Sequence, residues 1–231
     1  MKRLAFVLDA RCLRAPAVAL LLLCQTNAWA ATAPPAGKLP AACRTGCVTP
    51  FGAVLGVVDG LPAYSNCSAQ CVDPEPVKTN GVYTGIKWQC VEFARRWLLR
   101  HDGAVFGDVD VAADIWNKID HLERVDDKGS IALQNHPNGS ARPPSAGDLL
   151  IYARAYLGTG HVAVVTAVNL PAHEIEVAEQ NYLNNKYPGG YARRITLIER
   201  NHRYWVLDPY VLGWKHPATA TRTSTKAVSP R

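Results

Sequence analysis

The sequence predicts an α+β fold, with N-terminal helices packed on an antiparallel β-sheet. Three observations predict it. Helical three- and four-residue spacing is concentrated before about residue 120. Short β-branched and aromatic runs with breaks between them fill the rest of the chain. An apolar content of 48% against 19% charged residues is that of a folded globular chain, and 231 residues are enough to bury a core as one domain.

The elements follow in order. Residues 1–30 carry four basic side chains and one acid, then the apolar run APAVALLLLC, then a small-x-small pattern at Ala28 and Ala30. A run of about ten apolar residues is too short to span a bilayer, so a secretory signal peptide cleaved near Ala30 is expected, with an uncleaved anchor as the alternative. No later segment is apolar for long enough to span a membrane. Residues 31–49 read as a Pro/Ala linker and the start of a disulfide segment. PFGAVLGVV, residues 50–58, reads as a short strand or bend, and the stretch from Pro74 through NGVYTG as a loop.

From Gln89 to about Arg100 the pattern turns helical, with Val91, Ala94 and Leu98 on one face and Gly103 as the stop. VAADIWNKI, residues 111–119, reads as a second short helix, and 135–148 as a turn-rich loop. GDLLIYA, HVAVVTAV, EIEVAEQ, YARRITLI, RYWVL and VLGW read as strands. A main domain over 50–214 and a basic, disordered tail over 215–231 complete the division.

The net charge of +6 resides outside that domain. The leader contributes +3 and the tail +4, which leaves about −1. A basic nucleic-acid-binding domain is therefore excluded. A monomer is expected.

Five cysteines lie beyond the leader. Cys43, Cys47, Cys67 and Cys71 form two CxxxC pairs, which in an exported chain read as two disulfides. Three pairings are possible. Nested pairing, Cys43 with Cys71 and Cys47 with Cys67, is favoured because it staples two short segments side by side. A four-cysteine zinc site is the alternative, disfavoured by the spacing and by an oxidising compartment. Asn66 and Asn138 head N-x-S sequons.

Cys90 is left over, inert and buried or else reactive. Its place at a helix N-terminus favours a thiolate. His161 follows Gly158 and Gly160, glycines that leave open space beside it, where a loop gives way to a strand. A hairpin from HVAVVTAV into EIEVAEQN would make His161 and Glu179 cross-strand neighbours. Each residue alone has an ordinary structural reading. Together they form a nucleophile, a base and an acid that orients the base.

KWQCVEFARRWLL, QNHPNGSARPPSAGDLLIY, TGHVAVVTAV and IEVAEQN resemble the amidase domain of glutathionylspermidine synthetase/amidase. That domain is a member of the CHAP group, the cysteine- and histidine-dependent amidohydrolases and peptidases. The resemblance runs from about Pro50 to about Trp214 and implies a papain-like fold. It implies Cys90 as nucleophile, His161 as base and Glu179 as orienting acid. It also implies Arg95 and Asn181 near the substrate. Gln89 would assist the oxyanion, and Trp88 would wall the cleft. No metal or organic cofactor is called for. The substrate implied is a peptide amide: a glutathione–polyamine conjugate by likeness, or a peptidoglycan peptide by the expected address, secreted or periplasmic. An ATP-dependent synthetase of the kind that the bifunctional enzymes carry is not expected within these 231 residues. A non-catalytic binding module with the same fold is the competing class.

Overall fold

A computed structural model describes residues 39–218, and the expected signal peptide and most of the expected tail lie outside them. The described chain opens on a 3-10 turn, Ala41–Cys43, held in a knot of two disulfides, Cys43–Cys71 and Cys47–Cys67. This is the nested pairing. Strands β1 (Val54–Val58) and β2 (Leu61–Tyr64) form one antiparallel pair.

β3 (Pro76–Thr79) and β4 (Val82–Ile86) form a second antiparallel pair where the sequence read as a loop. Its turn is Asn80-Gly81, both at positive φ, and Asn-Gly is the pair that a tight hairpin favours. The sign was present in the sequence.

Helix α1 (Cys90–Asp102) follows, and Gly103 ends it in the left-handed region. Its first turn carries Glu92 and its last turn Arg100 and His101, as the helix dipole favours. Next come β5 (Ala104–Val105), a 3-10 turn (Ala112–Asp114) and a one-turn helix α2 (Ile115–Lys118). After these come β6 (His121–Arg124), β7 (Ser130–Pro137), β8 (Leu149–Tyr152), β9 (His161–Asn169), β10 (Glu174–Ala178), β11 (Arg193–Arg200), β12 (Arg203–Val206) and β13 (Val211–Pro217).

The expected layer of N-terminal helices is not what forms. The described residues are mostly β-structure, with one helix of 13 residues and one of 4, and four strands precede α1. The helical face before residue 120 is real, but it is a single face. Short apolar runs that periodicity leaves ambiguous became strands.

Nine strands make one antiparallel sheet in the order β12-β11-β10-β9-β8-β13-β7-β6-β5. The last strand is not an edge. β13 inserts between β7 and β8 and runs to Pro217, beyond the expected domain limit at 214. β7 likewise extends through Asn135, His136 and Pro137, which read as loop. Both ladders join segments about 60 to 80 residues apart in the chain, a separation that local pattern does not report.

β8 and β9 are buried on both faces. Leu149, Ile151, Val162 and Val164 meet Phe93, Ala94 and Leu98 of α1 in one cluster. Leu150, Tyr152, Ala163 and Val165 meet Ile175, Val177, Ile195 and Trp214 in another. That is why LLIY and HVAVV are continuous apolar runs rather than alternating ones. The core thus brings the start of α1 beside the start of β9.

Candidate active site

Cys90 is the first residue of α1, and its N–H has no intrahelical acceptor. The residue before it, Gln89, has extended backbone and makes no side-chain cap. His161 begins β9. Gly160, at φ +71, leads into it, and a Cβ there would stand 2.6 Å from the Tyr152 carbonyl oxygen. This glycine serves close packing rather than open space.

His161 Nε2 faces Glu179 Oε2 at 2.7 Å, and both residues are buried. They are not directly opposed across the sheet. The β9–β10 register pairs Ala178 with Val164, so the carboxylate lies just past the last pair and reaches the ring diagonally. With Nε2 engaged, Nδ1 is the ring nitrogen left for the side-chain hydrogen bond with Cys90.

The electrostatics follow from this chain of contacts. Burial pushes the Cys90 thiol up. The His161 charge, its hydrogen bond and the N–H groups of Val162 and Val91 outweigh burial and bring the thiol below its ordinary value. Burial pulls His161 down, but the Cys90 sulfur and the Glu179 carboxylate hold it up at about 9. Burial also pushes Glu179 up, and His161 and Arg193 overcome that, so it stays below the usual carboxylate value. The three groups therefore favour a thiolate, an imidazolium and a carboxylate.

Sequence reasoning missed the layer behind them. Arg193 of β11 donates from Nε to Glu179 Oε1 at 2.6 Å. It also pairs with Asp208 and with the Tyr152 hydroxyl, and its guanidinium lies 4.0 Å from the Tyr182 ring centroid. Beneath α1, Glu92 accepts from Arg96 Nε at 2.7 Å and from Gln180 Nε2 at 2.9 Å. Gln180 Nε2 also donates to the Gln89 carbonyl. The helix that carries Cys90 is thereby tied to the residue following Glu179. Glu92, Arg96 and Gln180 stood inside the motifs WQCVEFARR and AEQN without a role.

A cleft of about 360 Å³ opens on Cys90 and His161. Arg95 and Asn181 line it. The Arg95 Nε and Asn181 Oδ1 are buried and lack a protein partner. Gln89 also lines the cleft, but its Nε2 donates to Asn66 Oδ1 and to the Cys71 carbonyl, and its Oε1 accepts from Asn181. Trp88 is not among the lining residues. Its ring rests 4.2 Å, centroid to centroid, from Tyr64. Asp108 and Asp110 stand on the rim, and Asp108 pairs with Arg95. Among the described residues no cluster of three or more His, Cys, Asp or Glu side chains is placed to hold a metal.

Residues 81–181 match the family model of the CHAP domain. The chain is 36% identical over 181 residues to the bifunctional glutathionylspermidine synthetase/amidase of Escherichia coli (strain K12), covering 71% of this chain and 29% of that protein. It is 33% identical over 161 residues to the trypanothione synthetase of Crithidia fasciculata, covering 69% and 24%. It is 31% identical over 189 residues to the glutathionylspermidine synthase of the same organism, covering 71% and 26%. The chain thus spans less than a third of the length of these relatives.

Proposed function

Because residues 81–181 match the CHAP-domain family model, we propose that the chain hydrolyses an amide bond through Cys90, His161 and Glu179. The observation that carries this reading is the buried hydrogen bond between His161 and Glu179, with the Cys90 thiol coupled to the same imidazole, in a cleft that Cys90 and His161 line.

The thiolate attacks the amide carbonyl carbon while His161 holds the proton. The developing oxyanion lies within reach of the Cys90 N–H at the positive end of α1. Gln89 joins it only if it gives up its bonds to Asn66 and Cys71. Collapse of the tetrahedral intermediate breaks the C–N bond, and His161 passes its proton to the leaving amine. Water, deprotonated by His161, then cleaves the thioester and returns the thiol. The balance is amide plus water to acid plus amine.

The substrate we favour is a glutathione–polyamine conjugate. The relatives named for glutathionylspermidine support it. The rim carboxylates of Asp108 and Asp110 already pair with Arg95 and Lys118, so a cationic leaving amine would have to share them. A second reading, a peptidoglycan peptide, has its own observation. Two disulfides suit an oxidising compartment outside the cytosol, and they are compatible with a secreted or periplasmic protein.

The test incubates the disulfide-intact protein, without its leader, with glutathionylspermidine and follows spermidine release by mass spectrometry. Cys90→Ala is the control. Release that depends on Cys90 establishes the first substrate. Release from muropeptides alone establishes the second. A Cys90→Ala protein as active as the wild type refutes the nucleophile.

A further inference from the structure

We propose that Asn66 is a positioning residue for Cys90, and that the disulfide knot is the rigid base from which it acts. The inference rests on the reading of Cys90 as nucleophile.

The knot lies outside the span that matches the CHAP model, yet it reaches the site. Asn66 is buried between its cysteines, and every polar atom is engaged. Nδ2 donates to the Cys71 carbonyl at 2.7 Å and to the Ser68 carbonyl at 3.0 Å. The backbone N–H donates to Asn184 Oδ1 at 2.8 Å. Oδ1 accepts from the Trp88 N–H at 3.4 Å and from Gln89 Nε2 at 3.3 Å. Gln89 Nε2 also donates to the Cys71 carbonyl. Asn66 is thus no exposed sequon; its amide is part of the fold.

Residues 88 and 89 are the two that precede the nucleophile. Gln89 occupies the N-cap position of α1 without capping its own helix. The helix start is therefore held from outside, by Gln180 and Asn181 on one side and by the knot through Asn66 on the other. Whatever fixes Trp88 and Gln89 fixes the direction of the Cys90 N–H and the distance from the sulfur to His161. The same knot lends Ala69 and Val72 to the wall of the cleft.

Asn66 touches neither the sulfur nor His161 in the contacts above, so its effect must appear as geometry. Cys90 alkylation by iodoacetamide is measured from pH 4 to 10 in the disulfide-intact protein, with kcat and KM on the amide that the wild type cleaves. Asn66→Ala is expected to lower kcat by about tenfold to a hundredfold, the scale of an ångström's misplacement. KM should change little, and the alkylation midpoint should move to higher pH. The double variant Cys43→Ser/Cys71→Ser removes one staple, keeps Cys47–Cys67, and should shift the profile in the same direction.

A folded Asn66→Ala with the wild-type alkylation profile and kcat overturns the inference. If that variant does not fold, a folded double variant with the wild-type profile overturns it. A wild-type Cys90 that reacts only as an ordinary thiol refutes the thiolate reading itself, and this inference with it.

Discussion

Arg193 Nε meets Glu179 Oε1 at 2.6 Å, while the other oxygen of that carboxylate meets His161 Nε2 at 2.7 Å. One buried carboxylate is thus fixed on both sides, by the imidazole and by a guanidinium that Asp208 and Tyr152 hold in turn. Removing Arg193 leaves the Glu179 side chain held by His161 alone and easier to protonate, because burial pushes it up and the arginine no longer opposes that. Arg193→Gln should lower kcat by about tenfold and move the acid limb of the pH–rate profile upward. Arg193→Lys should recover only part of the loss, since an ammonium does not reproduce the fork. Steady-state kinetics from pH 4 to 8 with circular dichroism as a folding control checks this. An unmoved acid limb in a folded Arg193→Gln would show that Glu179 does not need the arginine.

The pH dependence at the other end is set by the ion pair. Cys90 lies below its ordinary value of 9.0 and His161 at about 9, so the thiolate–imidazolium pair persists through neutrality. Activity should fall as pH rises through about 9, when His161 loses the proton that the leaving amine needs. The same shifts govern stability. His161, raised in the fold, contributes stability that is complete below its ordinary 6.5 and is lost as pH rises through about 9. Glu179, lowered in the fold, contributes stability present above its ordinary 4.5 and lost as pH falls below it. His161→Gln should return the thiol to an ordinary or higher value, read from the pH dependence of alkylation. A thiol that keeps its low value in that variant would assign the shift to the helix end alone.

How much of this was legible depends on range. Cys90, His161 and Glu179 could be read because each sits in a short motif with its own chemistry. CxxxC spacing pointed to two disulfides, and the nested pairing was the favoured one of three because it staples two short segments side by side. Arg193 could not be read, because YARRITLI shows a strand and nothing in it names the carboxylate fourteen residues earlier. The diagonal meeting of His161 and Glu179 depends on a register irregularity between Glu176 and Val177, and no alternation pattern reports one. The place of β13 is a long-range pairing, and its short VLGW run gave no sign of a central strand. Asn80-Gly81 is different. That hairpin sign was local and was simply outweighed by the neighbouring prolines.

The two bridges span 28 and 20 residues of sequence. Each should constrain the unfolded chain by about 3–4 kcal/mol in the loop-entropy account. Reduction should lower the urea midpoint markedly, and Cys90→Ala should not. Among the described residues Cys90 is the one free cysteine. A chain cleaved after Ala30 should therefore yield one thiol when denatured without reductant. Counting by mass spectrometry after alkylation decides the point, and three or five labelled thiols would refute the bridges.

Lys215 supplies a test of the core itself. It is buried in β13, its Nζ donates to the Ile119 carbonyl and lies 5.9 Å from the Trp116 ring centroid. Burial pulls its pKa from 10.5 to about 8, and the more distant Asp120 opposes that only in part. Between those two values the unfolded chain binds a proton that the native chain does not. Stability from this group therefore rises with pH across that window, and its cost is complete below about 8. Lys215→Met removes the titrating group and keeps most of the volume. The difference in unfolding free energy between wild type and variant should shift in favour of the wild type as pH goes from 7 to 10. Taking the difference cancels the other groups that titrate there. A difference constant over that range would mean that Lys215 keeps its ordinary proton affinity inside the sheet.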